Sequence, residues 1–415
     1  MTDLDVQRDA AAHERARPLS IALVGTRGVP AHYGGFETCV EEVGARLADR
    51  GHTVRVYCRR VDGDDGELLE SHRGMELVHL PALRSRTLET LSHTGGSVAH
   101  LVRHRTDVAV VFNAANAPYL PLLRARGIPV ATHVDGLEWK RSKWGATGQR
   151  YYRQAEALAV RFSDDLIADA VGIQDYYTER FGVPTTLITY GAPVVEGGGD
   201  PARLAELGLT PRGYHLVVAR FEPENHVDVI VEGYTASRAS LPLVVVGSAP
   251  YSDEYTRRVH ALADDRTTFL GGVWDQDLLD QLYAGSLTYL HGHSVGGTNP
   301  SLLRAIGAGA AVSAYDVSFN REVLEDAGLF WSDAASVARV VQQAEDDGEG
   351  ARARGVLARG RAALYDWDVV ADGYEALCLR LARRRGRLLG RQGAAQKAQQ
   401  PERGTADRPA PTTGA

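Results

Sequence analysis

Short apolar runs, each the length of a buried strand, alternate with longer stretches of helical spacing, and the alternation occurs twice along the chain. Such a rhythm builds parallel sheets covered by helices on both faces. The first series holds LSIALVG (19–25), GHTVRVYCR (51–59) and shorter strands at Val108–Phe112, Ile128–His133, Leu166–Ala168 and Thr186–Thr189. Phe36, Val40, Val43 and Leu47 recur at helical spacing between the first two, and 149–162 reads as a further helix. The Gly- and Pro-rich stretch YGAPVVEGGGDPARLAELGLTPRGY (190–214) breaks the rhythm and reads as a linker. A second series follows at Tyr214–Val218, Leu243–Val246, Thr267–Leu270, Leu287–Leu290 and Val312–Ala314. The expected class is therefore α/β: two Rossmann-like, doubly wound parallel-sheet domains facing across a cleft. LYDWDVVADGYEALCLRLARRR (364–385) supplies an amphipathic closing helix with a basic end.

These readings set the boundaries. A polar, disordered arm covers 1–17, the first domain 18–190, the linker 191–213 and the second domain 214–363. The closing helix takes 364–386, and a disordered tail rich in Gly, Ala, Gln, Pro and Thr takes 387–415. A length of 415 residues suits two domains. The net charge of -7 argues against a general nucleic-acid binder. Cys39, Cys58 and Cys378 are scattered, without metal spacing or a disulfide framework, which fits a reducing compartment. The polar N-terminus has no signal-peptide core, and no apolar run is long enough to span a bilayer. The expected location is the cytoplasm, with the membrane within reach from that side.

Open parallel sheets place ligands beyond the carboxyl ends of their strands, so the loops there carry the chemistry. GTRGVPAHYGGFET (25–38) joins a strand to a helix and holds Arg27, His32, Tyr33, Gly34 and Gly35. Glycines at such a turn let backbone N–H groups approach an anion or a sugar. A surface turn needing positive φ explains the glycines equally well. NAANAPYLP (113–121) offers the amides of Asn113 and Asn116 to hydroxyl-rich ligands, or simply forms Asx turns.

THVDGLEWKRSKWG (132–145) places His133, Asp135 and Glu138 at a strand end, followed by Trp139, Lys140, Arg141, Lys143 and Trp144. Indole and cationic groups together suit a sugar face, a pyrophosphate or an anionic membrane surface. In VARFEPENHVDVIVEGY (218–234), Arg220 can grip a diphosphate bidentately, with Glu222, Glu224 and Asn225 to orient it. HGHSVGGTNPSLLRAIGAG (291–309) presents Gly296, Gly297, Thr298 and Asn299 ahead of Pro300, a helix-starting residue. Free N–H groups at a helix start, close glycines and a hydroxyl make an anion site. His291 and His293 are too weak a pair to claim a metal and read as structural.

On these stretches, together with LETLSHT, IADAVGIQDYY, APYSDEY, FLGGVWDQDLLDQLYAG and FNREVL, the chain resembles the retaining, GT-B-fold glycosyltransferases of family 4. Within them it is similar to bacterial rhamnosyltransferase-like proteins with an N-terminal domain of unknown function. The resemblance covers roughly residues 19–385. It implies that the C-terminal half holds a nucleotide-diphospho-sugar, dTDP-rhamnose or a UDP-sugar, and the N-terminal half a saccharide acceptor, lipid-linked. Arg220 matches the family's diphosphate arginine, and Asn225 stands near the place of a common lysine. Gly34 and Gly35 match the glycines that close over the donor. Asp135 falls where many relatives carry a histidine beside the reacting sugar, with His133 two residues away. Gly296 and Arg304 stand where the superfamily commonly has two glutamates, the second of which grips the nucleotide ribose.

The implied reaction is hexosyl transfer with retention, without a cofactor or metal. Asp135, His133 and Arg220 would be catalytic, and the donor would lie on Gly34, Gly35, Arg220, Glu224, Asn225, Gly296–Asn299 and Arg304. The acceptor would meet Arg27, His32, Tyr33, Asn113, Asn116, Glu138, Trp139 and Lys140. Because Arg304 inverts the charge of a ribose ligand, a nucleotide-sugar-binding protein with impaired transfer is the rival reading. An NAD-dependent oxidoreductase also fits doubly wound sheets, but the chain lacks the glycine fingerprint with an acidic ribose ligand about 20 residues on.

Overall fold

The computed structural model describes residues 17–31, 34–60, 68–83, 88–134, 137–141, 144–195, 201–247 and 253–398. Eight strands form the first sheet: β1 (Ser20–Val24), β2 (Thr53–Arg60), β3 (Ser71–His72), β4 (Met75–Pro81), β5 (Val108–Phe112), β6 (Val130–Val134), β7 (Asp165–Ala168) and β8 (Thr186–Leu187). Their order is β3-β4-β2-β1-β5-β6-β7-β8. Only the β3–β4 hairpin is antiparallel. Six parallel strands form the second: β9 (His215–Val218), β10 (Leu243–Val246), β11 (Thr267–Gly271), β12 (Thr288–His291), β13 (Val312–Tyr315) and β14 (Leu329–Trp331), in the order β11-β10-β9-β12-β13-β14. Helices cover both faces, so the inner strands are buried on both sides and mostly apolar. Ile21 to Val24 and Leu243 to Val245 are all essentially inaccessible.

Each sheet has one point where the winding reverses. β1 pairs in parallel with β2 on one side and β5 on the other, and β9 likewise with β10 and β12. The crevice outside such a switch point is where an open α/β sheet takes its ligand. Here the two crevices face one another. The loops after β1, β5, β9 and β12 all line one cleft of about 1070 Å³.

Three helices position that cleft. Helix α1 (Gly35–Asp49) follows the loop after β1. Helix α2 (Pro300–Gly307) begins where the loop after β12 ends. Helix α3 (Trp367–Ala398) leaves the second domain and packs back on the first. Its return is fixed by ion pairs from α1 and the residue after it, Arg46 to Asp368 and Arg50 to Asp372 and Glu375, each 2.7 Å, and by a hydrogen bond from His52 Nε2 to Glu375 at 3.0 Å. Tyr374 stacks on Phe112 and lies 3.6 Å from the Cys39 thiol. The tail expected from residue 387 is helical as far as Ala398. Leu, Arg, Gln and Ala are strong helix formers, and a helix nucleated by the packed turns upstream propagates through them. β3, β4 and β14 are strands that the apolar-run reading did not include; β3 has two residues and is exposed at Ser71, and Glu76 and His79 interrupt the apolar run of β4.

Candidate active site

The loop after β1 is drawn over the cleft by its own helix. Gly34 is the N-cap of α1 at φ +108°, a conformation that favours glycine. The Arg27 N–H donates to Glu37 at 3.0 Å and the Ala31 N–H to Glu41 at 2.6 Å. Gly35 touches the other domain: a Cβ there would lie 2.9 Å from Pro300. Arg27, Gly34 and Gly35 therefore stand at the cleft, while His32 and Tyr33 lie outside the described residues.

Asn113 lines the cleft and caps the following turn, accepting from the Ala115 N–H at 2.8 Å. Asn116 is fully buried and does not line it; it donates to the Phe112 carbonyl at 2.8 Å and braces the Gly25 turn. The third stretch divides in the same way. Glu138, Arg141 and Trp144 line the cleft, with Arg141 paired to Glu138 at 2.6 Å and the Trp144 N–H donating to the same carboxylate at 3.3 Å. Trp139 and Lys140 do not line it. The Trp139 ring carries the Arg153 guanidinium at 4.4 Å instead. Asp135 and Lys143 lie outside the described residues.

His133 also stands apart from the cleft. It is 1 % exposed, enclosed by Phe36, Phe112 and Tyr190 with ring centroids 5.2 to 5.7 Å away. Burial pushes its pKa down to about 3. The expectation that it is catalytic is corrected on that ground: the ring is neutral and does not line the cleft. The strand interior is buried on both faces, so its polarity alone did not say which way the ring pointed.

On the second domain, Arg220 follows β9 and reaches the cleft with its guanidinium 3.3 Å from Glu222. The Arg220 carbonyl accepts from the Asn225 amide at 2.8 Å, which fixes the turn. Asn225 lines the cleft; Glu224 is buried beside it and receives the Ser294 N–H on its carbonyl at 3.0 Å. Opposite, Gly296, Gly297, Thr298 and Asn299 face the opening ahead of α2. Asn299 caps that helix by accepting from the Ser301 N–H at 2.9 Å, and Pro300 sits in its first turn. The positive end of a helix dipole and an arginine thus converge from two sides.

Four further side chains belong here. Asp169, at the carboxyl end of β7, is 2 % exposed and lines the cleft. Gly297 lies so close that a Cβ would sit 1.9 Å from its carboxylate, and the Thr298 hydroxyl donates to its carbonyl at 2.6 Å. The position after a parallel strand was the signal that could have found it. His291 and His293 line the floor. Arg304 lines the rim near Trp274, which is 64 % exposed. Its guanidinium pairs with Asp280 at 2.5 Å and donates to the Gln276 carbonyl at 3.0 Å.

Burial also holds three other histidines neutral: His93 is pushed down to about 4, His291 to about 3 and His293 well below the ordinary 6.5. The unfolded chain takes up these protons below about pH 6.5, whereas the folded chain does not until far lower, so unfolding draws protons. Stability is therefore full above pH 6.5 and lost as pH falls toward 3. The thermal midpoint should be level above pH 7 and drop steadily from pH 6.5 to 4; a level midpoint down to pH 4.5 contradicts the assignment.

Among the described residues, no helix is long and apolar enough to cross a membrane. The chain matches two family descriptions, "Glycosyl transferase 4-like domain" over residues 34–191 and "Glycosyl transferases group 1" over 206–358. Over 177 residues it is 28% identical to O-antigen chain mannosyltransferase B of Escherichia coli, covering 40% of this chain and 45% of that one. Its matches span less than half the length of the curated relatives. Among solved structures it is similar to sucrose-phosphate synthase from Thermosynechococcus elongatus, with a TM-score of 0.77 at 21% identity over 88% of this chain and 99% of that one. It is also similar to HepE of Anabaena in complex with UDP-glucose, with a TM-score of 0.71 at 18% identity over 86% and 99%. Both likenesses speak to the fold. Two facing switch-point sheets, an arginine and a helix start across the cleft, and two matching descriptions spanning about three quarters of the sequence agree: the chain belongs to the family 4 glycosyltransferases of GT-B fold.

Proposed function

We propose that the protein transfers a hexose, rhamnose or a close relative, from a dTDP- or UDP-linked donor to a saccharide acceptor in the synthesis of a bacterial surface polysaccharide. The observation that carries this is the anion site made by Arg220 and residues 296–299, which line one cleft with the glycine lip of the other domain. The O-antigen relative and the UDP-glucose complex of a fold neighbour support the donor and product classes.

In this reading the diphosphate lies against Arg220 and the N–H groups ahead of α2, which take up the charge that develops as the glycosidic bond breaks. These donors do the work a divalent ion does elsewhere, so transfer needs no metal. The acceptor hydroxyl, held from the first domain, attacks on the face the diphosphate leaves, giving retention, and its proton passes to the departing phosphate. Positioning supplies the rest of the rate. Asp135 stays the proposed group beside the reacting sugar. A lipid-linked acceptor on the cytoplasmic face of the membrane suits the basic loop 139–144 and the arginines of α3.

Thermal unfolding with UDP, dTDP, GDP and their hexose conjugates, in the presence of EDTA, tests the reading. A rise in midpoint of several degrees with the UDP or dTDP series is expected, followed by sugar transfer to a saccharide acceptor. Stabilisation without transfer to any acceptor favours the binding-only alternative, which the Arg304–Asp280 pair at the rim keeps in view. Arg304→Glu, assayed alongside, then reports whether that pair is what limits transfer. No stabilisation by any nucleotide overturns the proposal.

A further inference from the structure

The two histidines on the cleft floor sit in hydrogen-bond networks through Nδ1. The Ser301 N–H donates to the Asn299 side-chain oxygen at 2.9 Å, so that atom is an acceptor. The Ser301 hydroxyl donates to the same oxygen at 2.8 Å. Its proton is then used, and toward Tyr289, 3.0 Å away, it can only accept. Tyr289 has one proton, which the Val218 carbonyl at 3.3 Å, Ser301 or His291 Nδ1 can accept. With that proton on the Val218 carbonyl, the phenol oxygen accepts from His291 Nδ1 at 3.1 Å. In that arrangement His291 carries its proton on Nδ1. A neutral imidazole has only one, so Nε2 is a bare lone pair.

That nitrogen is buried and has no protein partner. Its ring is 3 % exposed and lines the cleft. A buried acceptor without a donor is costly unless something supplies one. His293 carries its proton on the same nitrogen. Asn225 donates its amide N–H to the Arg220 carbonyl, so its oxygen accepts from His293 Nδ1 at 2.8 Å. The second imidazole, with its centroid 6.2 Å from the first, is likewise bare at Nε2. Burial holds both rings neutral, so neither becomes a cation that would repel a hydroxyl proton.

We infer that His291 Nε2 accepts a hydrogen bond from a hydroxyl of the sugar carried by the donor, with His293 as a second acceptor beside it. This rests on the nucleotide-sugar reading above and assigns the sugar to the floor between β12 and α2. A phosphate cannot be the partner, because an ionised phosphate oxygen accepts and does not donate. A hydroxyl-bearing hexose can.

The test uses the full chain and calorimetric titration with UDP and UDP-glucose, dTDP and dTDP-glucose, GDP and GDP-mannose. The pair that wild type binds is carried forward. His291→Asn keeps a donor where Nδ1 stands and removes the acceptor. It is expected to weaken the sugar conjugate about tenfold and leave the bare nucleotide within twofold. His291→Gln can place an amide oxygen where Nε2 stands, and is expected to recover most of the loss. Equal weakening of nucleotide and conjugate, or no change in either, overturns the inference. If His291→Asn does not fold, imidazole ¹⁵N spectra of wild type decide: His291, assigned by its absence in His291→Gln, is expected as the Nδ1–H form, and the Nε2–H form overturns it. If wild type binds none of the six compounds, the donor reading falls and this inference with it, which is distinct from binding that ignores His291.

Discussion

Replacing Arg220 with alanine should lower the transfer rate about 10²–10³-fold while leaving the unfolding midpoint within a degree or two of wild type. The loss is the size found when one charge-stabilising donor is removed from a transition state. The fold should not notice, because the structural work at this turn is done by the main chain. The Arg220 carbonyl receives the Asn225 amide, whereas the side chain is 40% exposed and lies 3.3 Å from Glu222. Exposed pairs of that kind contribute little to stability. Arg220→Lys keeps the charge and loses the fork, and should fall between wild type and alanine. Steady-state kinetics with the donor varied, beside thermal unfolding of the same samples, checks all three. A large drop in midpoint with unchanged donor affinity would mean that the arginine serves the fold and not the diphosphate.

Gly297→Ala is the second change with a large expected effect, and it acts through shape. The added Cβ would lie 1.9 Å from one carboxylate oxygen of Asp169 and 2.6 Å from its Cγ. The side chain has nowhere to go: Asp169 is 2 % exposed and its carbonyl is held by Thr298. Relief must come from shifting the loop ahead of α2 or from parting the two domains. Overpacking of this kind costs about 1–3 kcal/mol, and a displacement of about 1 Å at the anion site costs about a hundredfold in rate. Donor affinity and transfer should both fall. Asp169→Ala in the same chain should restore most of the unfolding midpoint, since the two positions clash directly and their effects cannot add. An unchanged midpoint in Gly297→Ala would show that the domains are not pressed together at this point.

The parts of the molecule legible in the sequence are those governed by local spacing. Alternation of apolar runs gave both parallel sheets, and Gly34, Arg220 and Gly296–Asn299 stand in loops at the strand ends where they were sought, with Gly35 opening α1. What local spacing does not carry is direction and long-range partnership. Nothing in THVDG says that His133 faces Phe36 and Tyr190 from inside the sheet. Trp139 and Trp144 look alike in sequence, yet a single 3₁₀ turn at Glu138–Lys140 leaves only the second at the cleft. Arg304 invites a reading by charge, but its partner Asp280 comes from a helix 24 residues earlier. Asp169 and the histidines of the floor acquire meaning only once β7 and β12 are seen to end opposite one another.

The return of α3 to the first domain sets how the two halves can move. The chain passes between them twice, once near Gly191 and again near Trp367. The two passages touch: the Ala192 N–H donates to the Tyr365 carbonyl at 2.6 Å, and a Cβ on Gly191 would lie 2.1 Å from the Trp367 ring. A single flexible join would let the domains swivel in any direction. Two joins side by side act as the paired pins of a door, permitting one swing and resisting twist. An opening of the cleft would therefore follow one arc, and closing along it would restore the register of the glycine lip against Pro300, where a Cβ on Gly35 would lie 2.9 Å away.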